Sequence, residues 1–223
     1  SRMKNVFQLP PLVDKQADKW KLKKHNEKSG VIRLIYVGSP GLGNKDRLDL
    51  IIDALGEIRK CYALNFEFSI IGLNKEQYCK IYKVNIIPSF FKDCIEFKGR
   101  VPHRDALDYL YNSDFQIFIR KNNLTNTAGF PTKFVEATSC GIPVLTNISS
   151  DLKNYLFCKQ NGFLLDISSR DNLIASLLIP LQLLKEERVS LKATCSKFKD
   201  IFDYRNYISD FKDFFFSVYF TKS

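Results

Sequence analysis

The sequence predicts an α/β fold, a Rossmann-like doubly wound parallel sheet of about six strands flanked by helices. Three observations predict it. Apolar strand-like runs alternate with amphipathic helical segments, which is the pattern of successive βαβ units. The chain has 223 residues, and 45% of them are hydrophobic, which suffices for a substantial core. No apolar run reaches the roughly 20 residues that a membrane-spanning helix needs.

Six mostly apolar runs, rich in β-branched and aromatic residues, are the predicted strands. They are residues 31–38, 65–72, 94–101, 114–120, 142–147 and 161–166. Strands that are apolar on both faces are typical of parallel sheets covered by helices. Ligands bind such sheets at the carboxyl ends of the strands, where the strand order reverses. The loops that follow the strands are therefore the candidate functional segments.

Helices are predicted between these strands. Leu48, Ile51, Ile52 and Leu55 repeat with the spacing of one face of an amphipathic helix. Residues 74–84 and 103–111 are each predicted to form one helix, a short helix is predicted to start at Pro131, and residues 170–199 carry one or two. Residues 202–220 are predicted to form a final helix, rich in aromatic side chains that pack on this domain, on a partner domain or at a membrane surface.

The formal net charge is +10, so the surface attracts anions such as nucleotides, acidic lipids or nucleic acid. The lysines are spread along the chain and no nucleic-acid-binding motif is present, so we expect no nucleic-acid partner. The six cysteines form no Cys-x-x-Cys pair and lie far from both histidines, so no metal site is expected. Cys61, Cys94 and Cys140 lie in or beside apolar runs, which predicts buried thiols in a reducing, cytoplasmic compartment.

The most informative segment is residues 128–147, AGFPTKFVEATSCGIPVLTN. It predicts a Gly/Pro turn, a short helix, a Gly-x-Pro turn and a strand. Pro131 fits the first helical position, where a missing N–H costs nothing. The free N–H groups of Thr132, Lys133 and Phe134 would then point out of the helix start, where the helix dipole favours an anion.

Two charged side chains extend this helix start. Lys133 adds a mobile positive charge, and Glu136 lies about 5 Å further along the helix. That distance suits a carboxylate that accepts hydrogen bonds from a ribose while a diphosphate rests on the helix tip. The segment thus predicts a site for a nucleoside diphosphate that needs no metal ion. The alternative is that Lys133 and Glu136 form an ordinary solvated pair one turn apart.

The segment resembles the donor-binding region of retaining glycosyltransferases with the two-domain GT-B fold, in particular glycosyltransferase family four. Glu136, Gly141, Pro143 and Val144 match the second half of that family's pattern, Glu, seven residues, Glu, then Gly-x-Pro-Val. The first Glu of the pattern falls on Ala128, so the sequence departs from it there.

A variant of the pattern, Pro-x-Lys-x-x-Glu, occurs among capsular and exopolysaccharide glycosyltransferases. Pro131, Lys133 and Glu136 fit it fully. The resemblance implies a donor that is a nucleoside diphosphate sugar, with UDP as the default nucleotide. Lys133 and Lys45 would stabilise the departing diphosphate, and Glu136 would hold the ribose.

The resemblance assigns further donor contacts to the loops after the first and third strands and to the loop before the helix that starts at Pro131, and Arg120 is a candidate because of its position at a strand end. After the first strand, Gly38, Ser39 and Gly41 precede Lys45, and Ser39 stands where the family has an Arg. Arg100 and Val101 would flank the base, and backbone groups of the loop that ends in Gly129 and Phe130 would contact the sugar and its phosphate. Pro131 and Thr132, at the helix start, are further donor-binding candidates. Arg120 ends the fourth strand, and both a phosphate contact and a salt bridge to a carboxylate remain open for it. His103 is assigned no chemistry.

Three regions are predicted along the chain. Residues 1–30 are irregular and contain VFQLPPLVD, which resembles the linker between the two GT-B domains. Residues 31–200 form the nucleotide-sugar-binding domain, and residues 201–223 the aromatic helix, expected to cross to an N-terminal acceptor-binding domain. The implied reaction transfers a sugar to a glycan or lipid-linked acceptor with retention, in surface polysaccharide biosynthesis and beside the inner face of a membrane. A nucleotide-sugar epimerase and a non-catalytic nucleotide-binding module are the alternatives.

Overall fold

Six parallel strands form a single sheet. They are β1 (Ile32–Val37), β2 (Phe66–Ile71), β3 (Ile95–Gly99), β4 (Phe115–Phe118), β5 (Val144–Thr146) and β6 (Gly162–Leu164). Their order in the sheet is β3-β2-β1-β4-β5-β6. The order therefore reverses between β1 and β4, and this is where such sheets bind ligands. The predicted fold class is confirmed, and each predicted run contains one strand.

The computed structural model describes residues 6–23, 30–41, 45–84 and 93–220. Parts of three sequence predictions lie outside the described residues. These parts are residues 1–5 and 24–29 of the predicted linker, residues 42–44 (in the glycine-rich loop) and 85–92 of the predicted nucleotide-sugar-binding domain, and residues 221–223 of the last segment.

Eight α-helices occur in the described residues. They are α1 (Leu48–Tyr62), α2 (Lys75–Tyr82), α3 (His103–Tyr111), α4 (Leu124–Ala128), α5 (Thr132–Cys140), α6 (Arg170–Leu181), α7 (Lys185–Cys195) and α8 (Ile208–Phe220). The predicted helices are all present, and residues 170–199 carry two of them. The sequence did not predict α4, which has only five residues and is capped by Asn123 through a hydrogen bond to the backbone of Asn126.

The apolar face of α1 anchors one side of the sheet. Leu48, Ile51, Ile52 and Leu55 are all buried, as their spacing predicts. Ala63 takes a left-handed conformation after the last turn and ends the helix. The helix packs against α6. Burial of this stripe on the sheet is the main apolar contribution of the β1–α1–β2 unit.

The final helix begins later than predicted. The expected start near residue 202 is wrong, because residues 202–207 are held in other contacts. Asp203 pairs with Val13 in an isolated bridge, and its carboxylate accepts a hydrogen bond from the backbone of Arg205. The 3₁₀ turn Tyr204–Tyr207 follows, and α8 starts at Ile208.

The N-terminal described segment runs along the C-terminal one. Val13 and Phe202 are joined by a backbone hydrogen bond of 2.9 Å, and the Val13 carbonyl accepts one from Tyr204. The ring of Phe7 contacts Phe211 and stacks on Phe214 of α8, with centroid distances of 5.9 and 5.2 Å. The two ends of the described chain therefore pack on one another. None of the described helices is long and apolar enough to cross a membrane.

No disulfide bond joins the six cysteines, all of which lie in the described residues, and the burial of one of them differs from the prediction. Cys94 and Cys140 are buried as predicted, and Cys195 is buried as well. Cys61 is exposed, because it lies in the last turn of α1 on the side away from the apolar stripe. Burial raises the pKa of the Cys140 thiol to about 12, so this thiol stays protonated at neutral pH.

An aromatic cluster joins the C-terminal segment to α5. Phe202 is fully buried and its ring lies 5.9 Å from Phe130, 6.1 Å from Phe134 and 5.3 Å from Tyr155. Phe130 and Phe134 flank the start of α5. The cluster therefore supports the helix start that the sequence predicts as the anion site.

We expect Phe202→Ala to lower the free energy of unfolding by about 3–5 kcal/mol, because it removes a fully buried ring and leaves a cavity. Urea denaturation followed by circular dichroism measures the loss. The matched control is Leu124→Ala, whose side chain is 89% exposed and whose truncation is expected to change stability by less than about 0.5 kcal/mol. Equal losses for the two variants would contradict the described packing.

Candidate functional site

The loops after β1 and β4 meet at the carboxyl edge of the sheet, beside the start of α5. Lys133, in the first turn of α5, lies over Gly38 at the end of β1. A Cβ atom added to Gly38 would come within 2.3 Å of the Lys133 Cε and 2.6 Å of its Nζ. Gly38 also has a φ of 147°. A side chain at residue 38 would therefore displace the lysine, and glycine is required for this close approach.

Lys133 belongs to a buried polar group with Tyr36 and Asp46. Its Nζ lies 2.8 Å from the Asp46 Oδ2, and its side chain is only 11% exposed. The Tyr36 hydroxyl donates to the same Oδ2 at 2.6 Å, and the ammonium lies 5.3 Å from the centre of the Tyr36 ring. Burial, with the Asp46 charge, raises the pKa of Tyr36 well above its usual range. The phenol thus stays protonated and donates.

Asp46 is a site residue that sequence reasoning missed. It is 1% exposed, and its second oxygen, Oδ1, is buried with no hydrogen-bond partner among the described residues. A buried carboxylate needs a counter-charge, and Lys133 supplies it. The one available signal was its position directly after Lys45.

Lys45 is held by its backbone and exposes its side chain. Its carbonyl accepts hydrogen bonds from the Lys121 backbone at 3.3 Å and from the Asn126 amide at 3.0 Å, while the residue itself is exposed. The end of the glycine-rich loop is thus fixed to the β4 side of the switch point, and its cation faces solvent. Its role at a diphosphate stays a prediction.

Arg120 is a buried bracing residue. Only 3% of it is exposed, and its guanidinium donates to the Asn126 carbonyl, the Asn126 Oδ1 and the Gly129 carbonyl. Burial lowers its pKa, an effect that the nearby Asp46 opposes. These partners are carbonyl and amide oxygens, and no carboxylate of the described residues pairs with the guanidinium, so the alternative of a salt bridge is not realised. The phosphate contact stays a prediction.

Two asparagines complete this brace, and the sequence did not identify them. Asn126 is buried in α4, and its side-chain amide donates to the carbonyls of Lys45 and Lys121. Asn147 exchanges two hydrogen bonds with the Arg120 backbone and so ties the end of β5 to the end of β4. No local pattern predicts such contacts, because they depend on how distant segments come together.

The start of α5 differs by one residue from the prediction. Pro131 is the N-cap, with an extended ψ of 108°, and Thr132 is the first helical residue. The Phe134 N–H, predicted to be free, donates to the Pro131 carbonyl at 3.0 Å. Among the described residues, the N–H groups of Thr132 and Lys133 have no partner. Two backbone donors, rather than three, are available to an anion here.

Glu136 pairs with the start of α3. Its Oε1 lies 2.9 Å from the His103 Nε2, and both side chains are partly exposed, His103 more than Glu136. Lys133 and Glu136 therefore each have a different partner and do not form the solvated i,i+3 pair that the alternative reading of this helix required. The contact also gives His103 a place at the candidate site that the sequence did not indicate.

The remaining predicted contacts border two cavities. Ser39, Gly41 and Arg100 line a cavity of about 420 Å³ between the ends of β1 to β3 and α2. Val101 instead borders a cavity of about 620 Å³ between the sheet face and α3. Arg100 and Val101, predicted to flank one base, thus line different cavities.

Residues 32–182 match the family described as glycosyl transferases group 1. Because this match covers more than half of the chain, the protein belongs to that family. No curated protein sequence matches the chain. The fold and the family together define a glycosyltransferase domain.

Three solved structures show the same fold. The lipopolysaccharide outer core galactosyltransferase WaaB, in its apo form, has a TM-score of 0.63 at 18% identity, covering 93% of this chain and 54% of its own. The pneumococcal O-GlcNAc transferase GtfA, in complex with UDP and GlcNAc, has a TM-score of 0.61 at 17% identity, covering 92% and 37%.

WaaG, a glycosyltransferase involved in lipopolysaccharide biosynthesis, has a TM-score of 0.58 at 18% identity, covering 78% of this chain and 44% of its own. At these identities the likeness shows the fold alone, that of part of a GT-B glycosyltransferase. The chain spans between 37% and 54% of the length of the three structures.

We expect Tyr36→Phe to lower the free energy of unfolding by about 1–3 kcal/mol, because the buried Asp46 loses a charge-assisted hydrogen bond. Chemical denaturation measures this change in the free energy of unfolding. Tyr109→Phe is the control, since Tyr109 lies exposed on α3 and should lose less than about 0.5 kcal/mol. An unchanged stability in Tyr36→Phe would mean that the hydroxyl does not stabilise Asp46.

Proposed function

We propose that this chain is the donor-binding half of a retaining GT-B glycosyltransferase of family four. It binds a nucleoside diphosphate sugar, with UDP as the default nucleotide, and serves transfer to a glycan or lipid-linked acceptor in surface polysaccharide biosynthesis. One observation carries the proposal most strongly: Lys133 is held over Gly38 at the strand-order reversal, next to the free N–H groups of the α5 start. This combination of cation, helix dipole and glycine suits a diphosphate.

In the proposed mechanism the protein stabilises the departing nucleoside diphosphate. Lys133 and Lys45 neutralise the charge that develops on the leaving group, and the N–H groups of Thr132 and Lys133 donate to its oxygens. Glu136 accepts hydrogen bonds from the ribose. Lysines and a helix start then supply what a metal ion supplies in other transferases, so we expect transfer without a metal.

The donor contacts extend from this centre along the sheet edge. Ser39, Gly41 and Arg100 border one cavity of about 420 Å³, which has the volume of a small-ligand site. Gly129 and Phe130 precede α5, where the transferred sugar would lie. UDP as the default receives support from the complex of GtfA with UDP and GlcNAc, although that structure shares only 17% identity with this chain.

The partner in this proposal is an N-terminal acceptor-binding domain of the same polypeptide. The part of this chain that matches covers between 37% and 54% of each solved relative. Phe211, Phe215, Phe216 and Tyr219 of α8 are exposed, which suits a helix that continues onto another domain. The positive net charge favours a peripheral contact with an anionic membrane on the cytoplasmic side.

We expect calorimetric titration of this chain with UDP, GDP, ADP and CMP to reveal selective binding of one nucleotide. Glu136→Ala and Lys133→Ala should each weaken it about tenfold or more, because each removes a direct contact. The controls are Glu186→Ala and Lys185→Ala, at the start of α7, where Lys185 borders Gly30 before β1 at the opposite edge of the sheet. Equal weakening in the controls, or no binding at all, would count against the proposal.

We also expect this chain to bind donor without transferring sugar. The acceptor groups belong to the proposed N-terminal domain, so a radiolabelled donor should yield no glycoside product with this chain alone. Adding the preceding domain in the same polypeptide should restore turnover. Product formation by the isolated chain would overturn the assignment of acceptor binding to another domain.

A further inference from the structure

A carboxylate lies where the proposed site needs positive charge. Asp46 follows Lys45 directly, and its Oδ2 contacts the Lys133 ammonium at 2.8 Å. An unpaired carboxylate at this place would repel a diphosphate, and its own burial would be costly. The charge of Asp46 alone therefore does not explain why a carboxylate lies at this site, and the geometry around Asp46 suggests another role.

Asp46 is fixed in place independently of Lys133. Its backbone forms an antiparallel bridge with Arg120, made by hydrogen bonds from Arg47 to Ile119 and from Lys121 to Lys45. Its carboxylate also accepts from the buried Tyr36 hydroxyl. The carboxylate is thus a rigid point at the end of the sheet, attached to both β1 and β4.

Unlike the fixed carboxylate of Asp46, the Lys133 side chain is flexible, since it is long and has four rotatable bonds. It is confined by Gly38, by the face of the Tyr36 ring and by Asp46. One contact with a carboxylate oxygen uses one of the three N–H donors of an ammonium group. Two donors therefore remain for other acceptors, and the carboxylate sets where they lie.

We propose that Asp46 is a positioning residue that acts through Lys133. It holds the ammonium over Gly38, ready to donate to the donor's diphosphate, and thereby reduces the conformational entropy that binding would cost. Without the carboxylate, the buried ammonium has no counter-charge at this position and leaves it. This inference rests on the proposed function and adds to it a residue outside the family resemblance.

The test is Asp46→Asn, which keeps the size of the side chain and an acceptor for Tyr36 but removes the charge. We expect calorimetry to show UDP binding weakened about tenfold. In a Lys133→Met background the same substitution should cause no further weakening, because the residue acts through the lysine, and UDP affinity should stay level or rise as the unpaired carboxylate is removed. Asp49→Asn is the matched control: it removes an equal charge three residues away, from a carboxylate paired with Arg47, and should leave UDP affinity unchanged.

A spectroscopic measurement separates positioning from a purely structural role. The ¹H–¹⁵N signal of the Lys133 ammonium, identified by its loss in Lys133→Met, should be observable in the wild-type chain and absent in Asp46→Asn. Thermal unfolding of each variant reports its stability separately. A persistent ammonium signal with unchanged UDP affinity in a folded Asp46→Asn would overturn the inference.

The outcomes also distinguish the two proposals. If the wild-type chain binds UDP and Asp46→Asn binds it equally well, the inference fails and the proposed function stands. If the wild-type chain binds no nucleotide, both fail together. Should Asp46→Asn not fold, Tyr36→Phe, which keeps the Asp46–Lys133 ion pair, provides the second measurement. If Tyr36→Phe weakens UDP binding in the wild-type chain but not in the Lys133→Met background, positioning through the lysine is supported. If it weakens UDP binding equally in both, the inference is contradicted.

Discussion

Parallel pairing of β1 with β4 is the constraint on which the rest of this structure depends. The connections on either side of this pair run in opposite directions, so the loops after the two strands separate and leave a crevice at their carboxyl ends. Gly38 and Asp46 reach the crevice from the β1 side, and Arg120 and Lys133 from the β4 side. A cluster of buried polar groups is tolerated there because almost every member finds a partner.

Most of the fold could be predicted from the sequence, since its strands and longer helices bury regular apolar patterns. The stripe that includes Leu48 and Leu55 is one example, and the six strand runs are others. The elements that the sequence did not predict are short and depend on individual hydrogen bonds. Asn123 starts α4 by capping it, and Asp203 holds the chain in a turn before α8. Periodicity carries no information about such contacts.

The location of the candidate site could be predicted from the sequence, but most of the contacts between its side chains could not. Local patterns identified Gly38, Lys133 and Glu136 as residues of one region. Their actual partners, Asp46 and His103, lie 87 and 33 positions away along the chain, and only tertiary placement joins them. Arg120 is an example. An arginine at a strand end can bind a phosphate or pair with a carboxylate, and the sequence does not show that buried carbonyl groups surround this one and accept its hydrogen bonds.

The contact of Val13 with Phe202 has a mechanical consequence. Phe202 packs on Phe130, which lies two residues before the first turn of α5. Side chains in a close-packed interior transmit displacement rather than absorb it. The segment around Val13 is therefore joined, through a backbone hydrogen bond and two aromatic rings, to the first turn of α5, which carries Lys133.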